Sequence, residues 1–162
     1  MSGERLVERE VFVRAARPDV FAMFVDPAKL VTWLGISAGL DPEPGGLFRF
    51  EITAGEFCSG RYVEVEPPRR VAFTWGWEGD EIPIAPGSTL VEVELTEADG
   101  GTLVRLTHSR LPDAFAELHA DGWRQFLARL AAVLEERDPG PDPARERPRE
   151  ALERLRTEGT ET

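Results

Sequence analysis

Residues 44–77 alternate large apolar and polar side chains with a period of two, the mark of strands that cover one face. Phe48, Phe50 and Ile52 alternate with Arg49, Glu51 and Thr53. Val71, Phe73, Trp75 and Trp77 alternate with Ala72, Thr74, Gly76 and Glu78, which places four large side chains of one strand on a single face. Ala54-Gly55-Glu56 and Pro67-Pro68-Arg69 divide the stretch into three antiparallel strands. Residues 79–88 are too proline-rich for a central strand. Two more strands follow, one defined by Val91, Val93 and Leu95, the other by Val104, Leu106 and His108 opposite Leu103, Arg105 and Thr107. Ala98-Asp99-Gly100-Gly101 between them predicts a hairpin turn of the kind that needs positive φ. A first strand is predicted over 6–15, with Val7, Val11 and Val13 sharing a face with Arg9, while Phe12 lies opposite beside Glu8 and Glu10. Residues 35–42 read as a short strand or extended loop, closed by the turn Glu43-Pro44-Gly45-Gly46.

Elsewhere the period is helical. Arg17-Pro18-Asp19 opens a short helix with its proline where a missing N–H matters least, and Val20, Phe21, Phe24 and Val25 form its apolar stripe. Asp26-Pro27 restarts the chain into a second short helix carrying Leu30, Val31, Trp33 and Leu34. From about 112 to 137, Phe115, Leu118, His119, Gly122, Trp123, Phe126, Leu127, Leu130 and Leu134 recur on one side of a helix of about seven turns. After Asp138 the composition turns to proline and charge. The reading is therefore one domain over 1–137 and a tail over 138–162, with a linker at 138–143 and a charged helix without an apolar face at 144–156.

At 162 residues the chain is long enough to bury a core without staples. A formal net charge of -11 argues against nucleic acid, which requires a basic footprint, and against anionic membrane surfaces. No apolar run approaches the ~20 residues of a bilayer span, and the N-terminus lacks a signal-peptide core, so a cytoplasmic protein is expected. Cys58 stands alone and reads as a small buried hydrophobe. Two histidines and one cysteine give no zinc spacing, and there is neither a phosphate-cradling glycine loop nor a nucleophile elbow, so no metal or cofactor is expected.

Candidate chemistry centres on aromatics and histidines. Phe48, Phe50, Trp75 and Trp77 line the covered sheet face, as ordinary core or as a cavity wall, and a buried indole N–H requires a partner. His108 faces inward, and His119 lies one turn from Phe115 and Trp123. Sharing a cavity they would form a proton-transfer pair near neutral pH; otherwise they are a backbone-bonded strand-end histidine and a helix-flank histidine. Glycine at 122 costs the helix about 1 kcal/mol relative to alanine, which close packing of helix on sheet would explain better than cavity volume. Arg61 and Arg110 either balance outward glutamates or clamp a substrate carboxylate. Glu64, Glu66, Glu92 and Glu94 read as a solvated sheet face.

The order of elements (strand, two short helices, a meander of about six strands, one long C-terminal helix) describes an α+β helix-grip architecture. Val20-Phe21, Trp33, Pro44-Gly45-Gly46 with Phe48, Gly60-Arg61-Tyr62, Val65-Glu66-Pro67-Pro68, Val71-Ala72-Phe73-Thr74-Trp75, Gly101-Thr102, Leu106-Thr107-His108 and Gly122-Trp123 carry a resemblance to the START-like (SRPBCC, birch-pollen-allergen-like) superfamily. Within it, the chain over about 6–136 resembles the family named after the C-terminal domain of the heat shock protein ninety ATPase activator. That resemblance implies a curved antiparallel sheet of six or seven strands wrapped around the last helix, with a cavity between them. It implies binding of a small hydrophobic or aromatic molecule, such as a lipid or polyketide-like metabolite. Trp33, Phe48, Phe50, Trp75, Trp77, His108, His119, Trp123 and Phe126 are the candidate contacts. The alternatives are a cofactor-independent cyclase, dehydratase or hydrolase using His108 or His119, and an interaction or chaperone-linked module, including a homodimer.

Overall fold

The computed structural model describes residues 3–146. β1 (Glu4–Val13) leads into α1 (Arg17–Val25) and the single turn α2 (Pro27–Leu30). Six strands follow: β2 (Ser37–Leu40), β3 (Leu47–Thr53), β4 (Glu56–Glu66), β5 (Arg70–Trp75), β6 (Thr89–Ala98) and β7 (Gly101–Pro112). They give way to the long α3 (Asp113–Leu134) and a final turn, α4 (Pro143–Glu146). The strands form one antiparallel sheet in the order β1-β7-β6-β5-β4-β3-β2. Because β1 and β2 are the two edges, α1 and α2 must carry the chain across the sheet between them, and α3 packs back against β1 and β7. This is the helix-grip α+β arrangement.

The alternating residues do what their period requires. Phe48, Phe50, Val71, Phe73, Trp75, Val91, Val93, Val104 and Leu106 are all buried on the face toward the helices. Phe48 stacks on Phe73 with centroids 4.0 Å apart, and Tyr62 meets both rings edge-on. Two buried polar tips fix α1, one from this layer and one from the segment after α2. Tyr62 Oη donates to the Phe24 carbonyl at 2.8 Å, and Trp33 Nε1 donates to the Met23 carbonyl at 3.0 Å. In the β6–β7 hairpin Asp99 and Gly100 both take positive φ, 42° and 80°, the geometry whose twist matches that of the strands. The imperfect alternation of β1 has a reason: Arg9 reaches across to donate to the Ala120 carbonyl of α3 at 3.2 Å.

Several boundaries differ from expectation. β1 runs from Glu4 to Val13 instead of 6–15. The strand predicted through Trp77 ends at Trp75, because β6 begins at Thr89 directly opposite and offers no further partner. Beyond that point the chain pairs with the 79–88 loop, Trp77 N donating to Ile84 O at 2.7 Å, and Trp77 keeps only an isolated bridge to Cys58. That loop is part of the core, with Ile82 and Ile84 both buried. α3 is 22 residues long, about six turns, and stops before Glu136, whose φ of 58° leaves the helical region. The tail helix predicted over 144–156 lies outside the described residues from 147 onward. Glu64, Glu92 and Glu94 do not simply face solvent but gather round the guanidinium of Arg70, to which Glu94 is bonded at 3.0 Å. Among the described residues no helix is long and apolar enough to cross a membrane.

Gly60 marks the tightest strand contact that bears on the site. A Cβ there would lie 2.0 Å from the Thr74 carbonyl oxygen, so β4 and β5 can approach only without a side chain. We expect Gly60→Ala to destabilise the fold by about 3 kcal/mol, read as a lowered chemical-denaturation midpoint with an unchanged slope. A midpoint equal to wild type would show that the two strands separate freely.

Candidate functional site

Where β5 ends, three tryptophans and both histidines converge. Trp75 is the last residue of β5, Trp77 lies in the segment that turns toward Ile84, and Trp123 and His119 sit one turn apart on α3. His108 faces them from β7, in register with Val91 of β6 and Val7 of β1. The His108 and His119 rings lie edge to face, with centroids 5.2 Å apart.

Both histidines are fully engaged, and their donors and acceptors fix their tautomers. Trp123 Nε1, which can only donate, bonds His108 Nδ1 at 3.0 Å, so Nδ1 carries no proton. His108 Nε2 lies 2.8 Å from Thr89 Oγ1, whose own hydroxyl donates to the Trp75 carbonyl at 2.8 Å. The threonine oxygen therefore accepts from His108 Nε2–H. His119 is the mirror case. Its Nδ1 lies 2.9 Å from the Phe115 carbonyl, which can only accept, so Nδ1 carries the proton and Nε2 accepts from Trp77 Nε1 at 3.2 Å. Burial, reinforced by the neighbouring His119, pushes the His108 pKa well below the ordinary histidine value. The two rings do meet, as a proton-transfer pair would have to, but as neutral imidazoles with both nitrogens held by protein groups.

Against this cluster lies a cavity of about 90 Å³. Trp75, Trp77, Trp123, Phe126 and His119 form its aromatic walls. Gly122 forms its floor on α3, and the expectation of close packing there is corrected: an added Cβ would meet nothing within 4 Å. The glycine leaves volume on the face that α3 turns to the cavity. Ile82 from the 79–88 loop and Pro143 and Ala144 from the C-terminal segment complete the lining, and the cavity stays partly open to solvent. Among the described residues of the wall, only Glu56 is charged. A second, open cleft of about 300 Å³ adjoins it across Glu56, Trp77 and Ile82 and carries Asp80 and Glu81.

The other candidates lie elsewhere. Trp33, Phe48 and Phe50 are buried beneath the cavity or to its side, held by the Met23 carbonyl and the Phe73 and Trp75 rings, and do not reach its wall. His108 also stays behind Trp75 and Trp123 and acts on the cavity through them. Arg61 does not reach it either; its guanidinium donates to the Gly45 carbonyl at 3.0 Å. Sequence reasoning missed Ile82, read as part of a proline-rich loop, and Pro143, read as linker. It also missed Arg129, whose guanidinium bonds both the Trp33 carbonyl at 3.3 Å and the Gly140 carbonyl at 2.6 Å, drawing the chain beyond α3 over the mouth.

The family described as Activator of Hsp90 ATPase homolog 1-like protein matches residues 14–135. Among solved structures, an AHSA1-like protein from Rhizobium etli is 45% identical over 90% of this chain and 91% of its own, with a TM-score of 0.69. A protein of the dynemicin biosynthetic locus is 25% identical over 85% of this chain and 50% of its own, with a TM-score of 0.73. The Aha1 dimer from Colwellia psychrerythraea, 17% identical over 81% of this chain and 96% of its own with a TM-score of 0.70, shares the fold. No curated protein matches the chain.

A neutral buried His108 has a consequence for pH. Its folded pKa lies below its unfolded value of about 6.5, so between the two the unfolded state binds the extra proton. Its contribution to stability is present above about pH 6.5 and declines as pH falls toward the folded pKa, by at most about 1.4 kcal/mol per pH unit. We expect wild type to lose stability more steeply than His108→Gln as pH falls below 6.5. Stabilities that fall in parallel with pH would show that His108 takes up its proton as readily in the folded protein as in the unfolded chain.

Proposed function

The chain belongs to the Activator of Hsp90 ATPase homolog 1-like family, and on that footing we propose that it binds a small, flat, uncharged apolar molecule in the cavity between β5 and α3. The observation that carries this reading is Gly122 facing open space. Glycine inside a helix costs about 1 kcal/mol relative to alanine. The space it faces also leaves the apolar side chains of the wall short of packing partners, a second cost. An alanine at 122 would meet no obstacle and would lower both. A core selected for stability alone would close this space, whereas a binding site needs it.

The walls define the ligand. Aromatic faces favour a flat ring, offset-stacked or edge-on. A pocket of this kind is mostly apolar with a few placed polar groups, and here the imidazoles are neutral and bonded within the protein. The volume holds a single small ring. A molecule of several rings would have to displace Ile82 and extend into the adjoining cleft. To act as a base either histidine would first have to break its tryptophan bond, and to act as an acid its bond to Thr89 or to the Phe115 carbonyl, which favours binding over turnover.

The test uses benzene as the probe. Its titration into wild type is expected to shift the indole N–H resonances of Trp75, Trp77 and Trp123 saturably. Gly122→Leu, which fills the space, is expected to weaken binding by about tenfold or more while melting no lower than wild type. Wild-type resonances that do not move would remove the cavity from function.

A further inference from the structure

The cavity and the open cleft beside it share a partition, since Glu56, Trp77 and Ile82 line both. Glu56 and Ile82 contribute narrow chains with freely staggered torsions. Trp77 contributes a rigid, half-buried indole plate, and about 300 Å³ of open space adjoins it on the cleft side. A plate with room beside it keeps its place only if something holds it there.

The main chain at this point is fixed. Trp77 N donates to the Ile84 carbonyl at 2.7 Å, the next N–H, that of Glu78, donates to the Phe57 carbonyl at 3.0 Å, and a bridge joins Trp77 to Cys58. The indole can therefore move only about its own side-chain torsions. Its ring contacts with Phe50, Trp75 and His119 are with the aromatic cluster. Its directional hold is the bond from Nε1 to His119 Nε2 at 3.2 Å, which crosses from the segment after β5 to α3. His119 can accept that bond because its own proton sits on Nδ1, toward the Phe115 carbonyl. One hydrogen bond thus bars the passage between cavity and cleft.

We propose that the Trp77–His119 bond is a size gate. Closed, it limits the site to a single aromatic ring; broken, it lets the indole fold back toward the cleft and joins the two spaces into one that takes a fused, two-ring aromatic molecule. This rests on the cavity reading above and adds a size limit to it, with Trp77 and His119 as the residues that set the limit. A single ring binds with the bond intact. A two-ring molecule has to break it, so the protein discriminates against the larger molecule by the net worth of that bond.

Benzene and naphthalene test this, both flat and apolar and differing by one ring. Each is titrated into wild type, into Trp77→Phe, which keeps an aromatic plate without the N–H, and into His119→Leu, which removes the acceptor. The greater hydrophobicity of naphthalene is common to all three proteins and cancels in the comparison. The affinity for naphthalene relative to benzene is expected to rise about tenfold in both variants. His119→Gln, whose side-chain carbonyl can accept in place of Nε2, is expected to restore the wild-type ratio, which a mere loosening of the core would not do. In wild type itself, exchange of the Trp77 indole proton with water is expected to stay slow in the benzene complex and to quicken in the naphthalene complex, a readout that needs no variant to fold. Equal ratios in wild type and both single variants, or a Trp77 proton equally protected in the two complexes, would overturn the gate while leaving the cavity reading intact. If neither molecule shifts any indole resonance of wild type, the cavity reading itself falls, and the gate with it.

Discussion

The hydrogen bond from Trp123 to His108 joins the two layers at the point where they would otherwise part. It runs from the middle of α3 to the middle of β7, and through Thr89 it continues to the carbonyl that ends β5. Apolar packing presses a helix on a sheet but leaves its rotation and height loosely set. A buried directional bond sets both, because a donor held short of its acceptor in a dry interior loses far more than the bond is worth in water. The second bond, Trp77 to His119, repeats the device toward the surface and ties the segment after β5 to the same helix. Between these two rivets the helix can stand away from the sheet without collapsing onto it, and a cavity persists.

Much of the fold was written in periodicities. A two-residue repeat from Phe48 to Trp75 and a helical repeat from Phe115 to Leu130 are enough to imply an aromatic sheet face and a helix to cover it, and the chain order supplies the rest. The site was partly legible. Trp75, Trp77, His119, Trp123 and Phe126 stood out because large or titratable side chains at buried phases are few. What escaped were consequences of distance instead of pattern. Gly122 looks the same in sequence whether it faces a neighbour or a void. Nothing about His108 and His119 announces that each will receive an indole proton, since the donors lie 15 and 42 residues away along the chain. Ile82 and Pro143 sit among prolines and acids, in stretches whose local chemistry says loop, and only the folded chain turns them inward.

The site is polar in composition and nearly apolar in effect. One imidazole and three indoles line it, with a second imidazole behind them, and pairing turns most of their hydrogen-bonding capacity toward one another. Such a lining can be tight for a flat ring without holding water strongly. On the far side of the sheet Arg70, Arg49 and Arg105 draw glutamates into pairs.

Arg129 links the segment after α2 to the segment beyond α3. The same guanidinium holds the Trp33 carbonyl beneath α3 and the Gly140 carbonyl of the segment that brings Pro143 and Ala144 over the mouth. A shift of α3 would therefore be felt at both carbonyls, and on the proposed binding role the size of the chamber and the passage into it could not change independently.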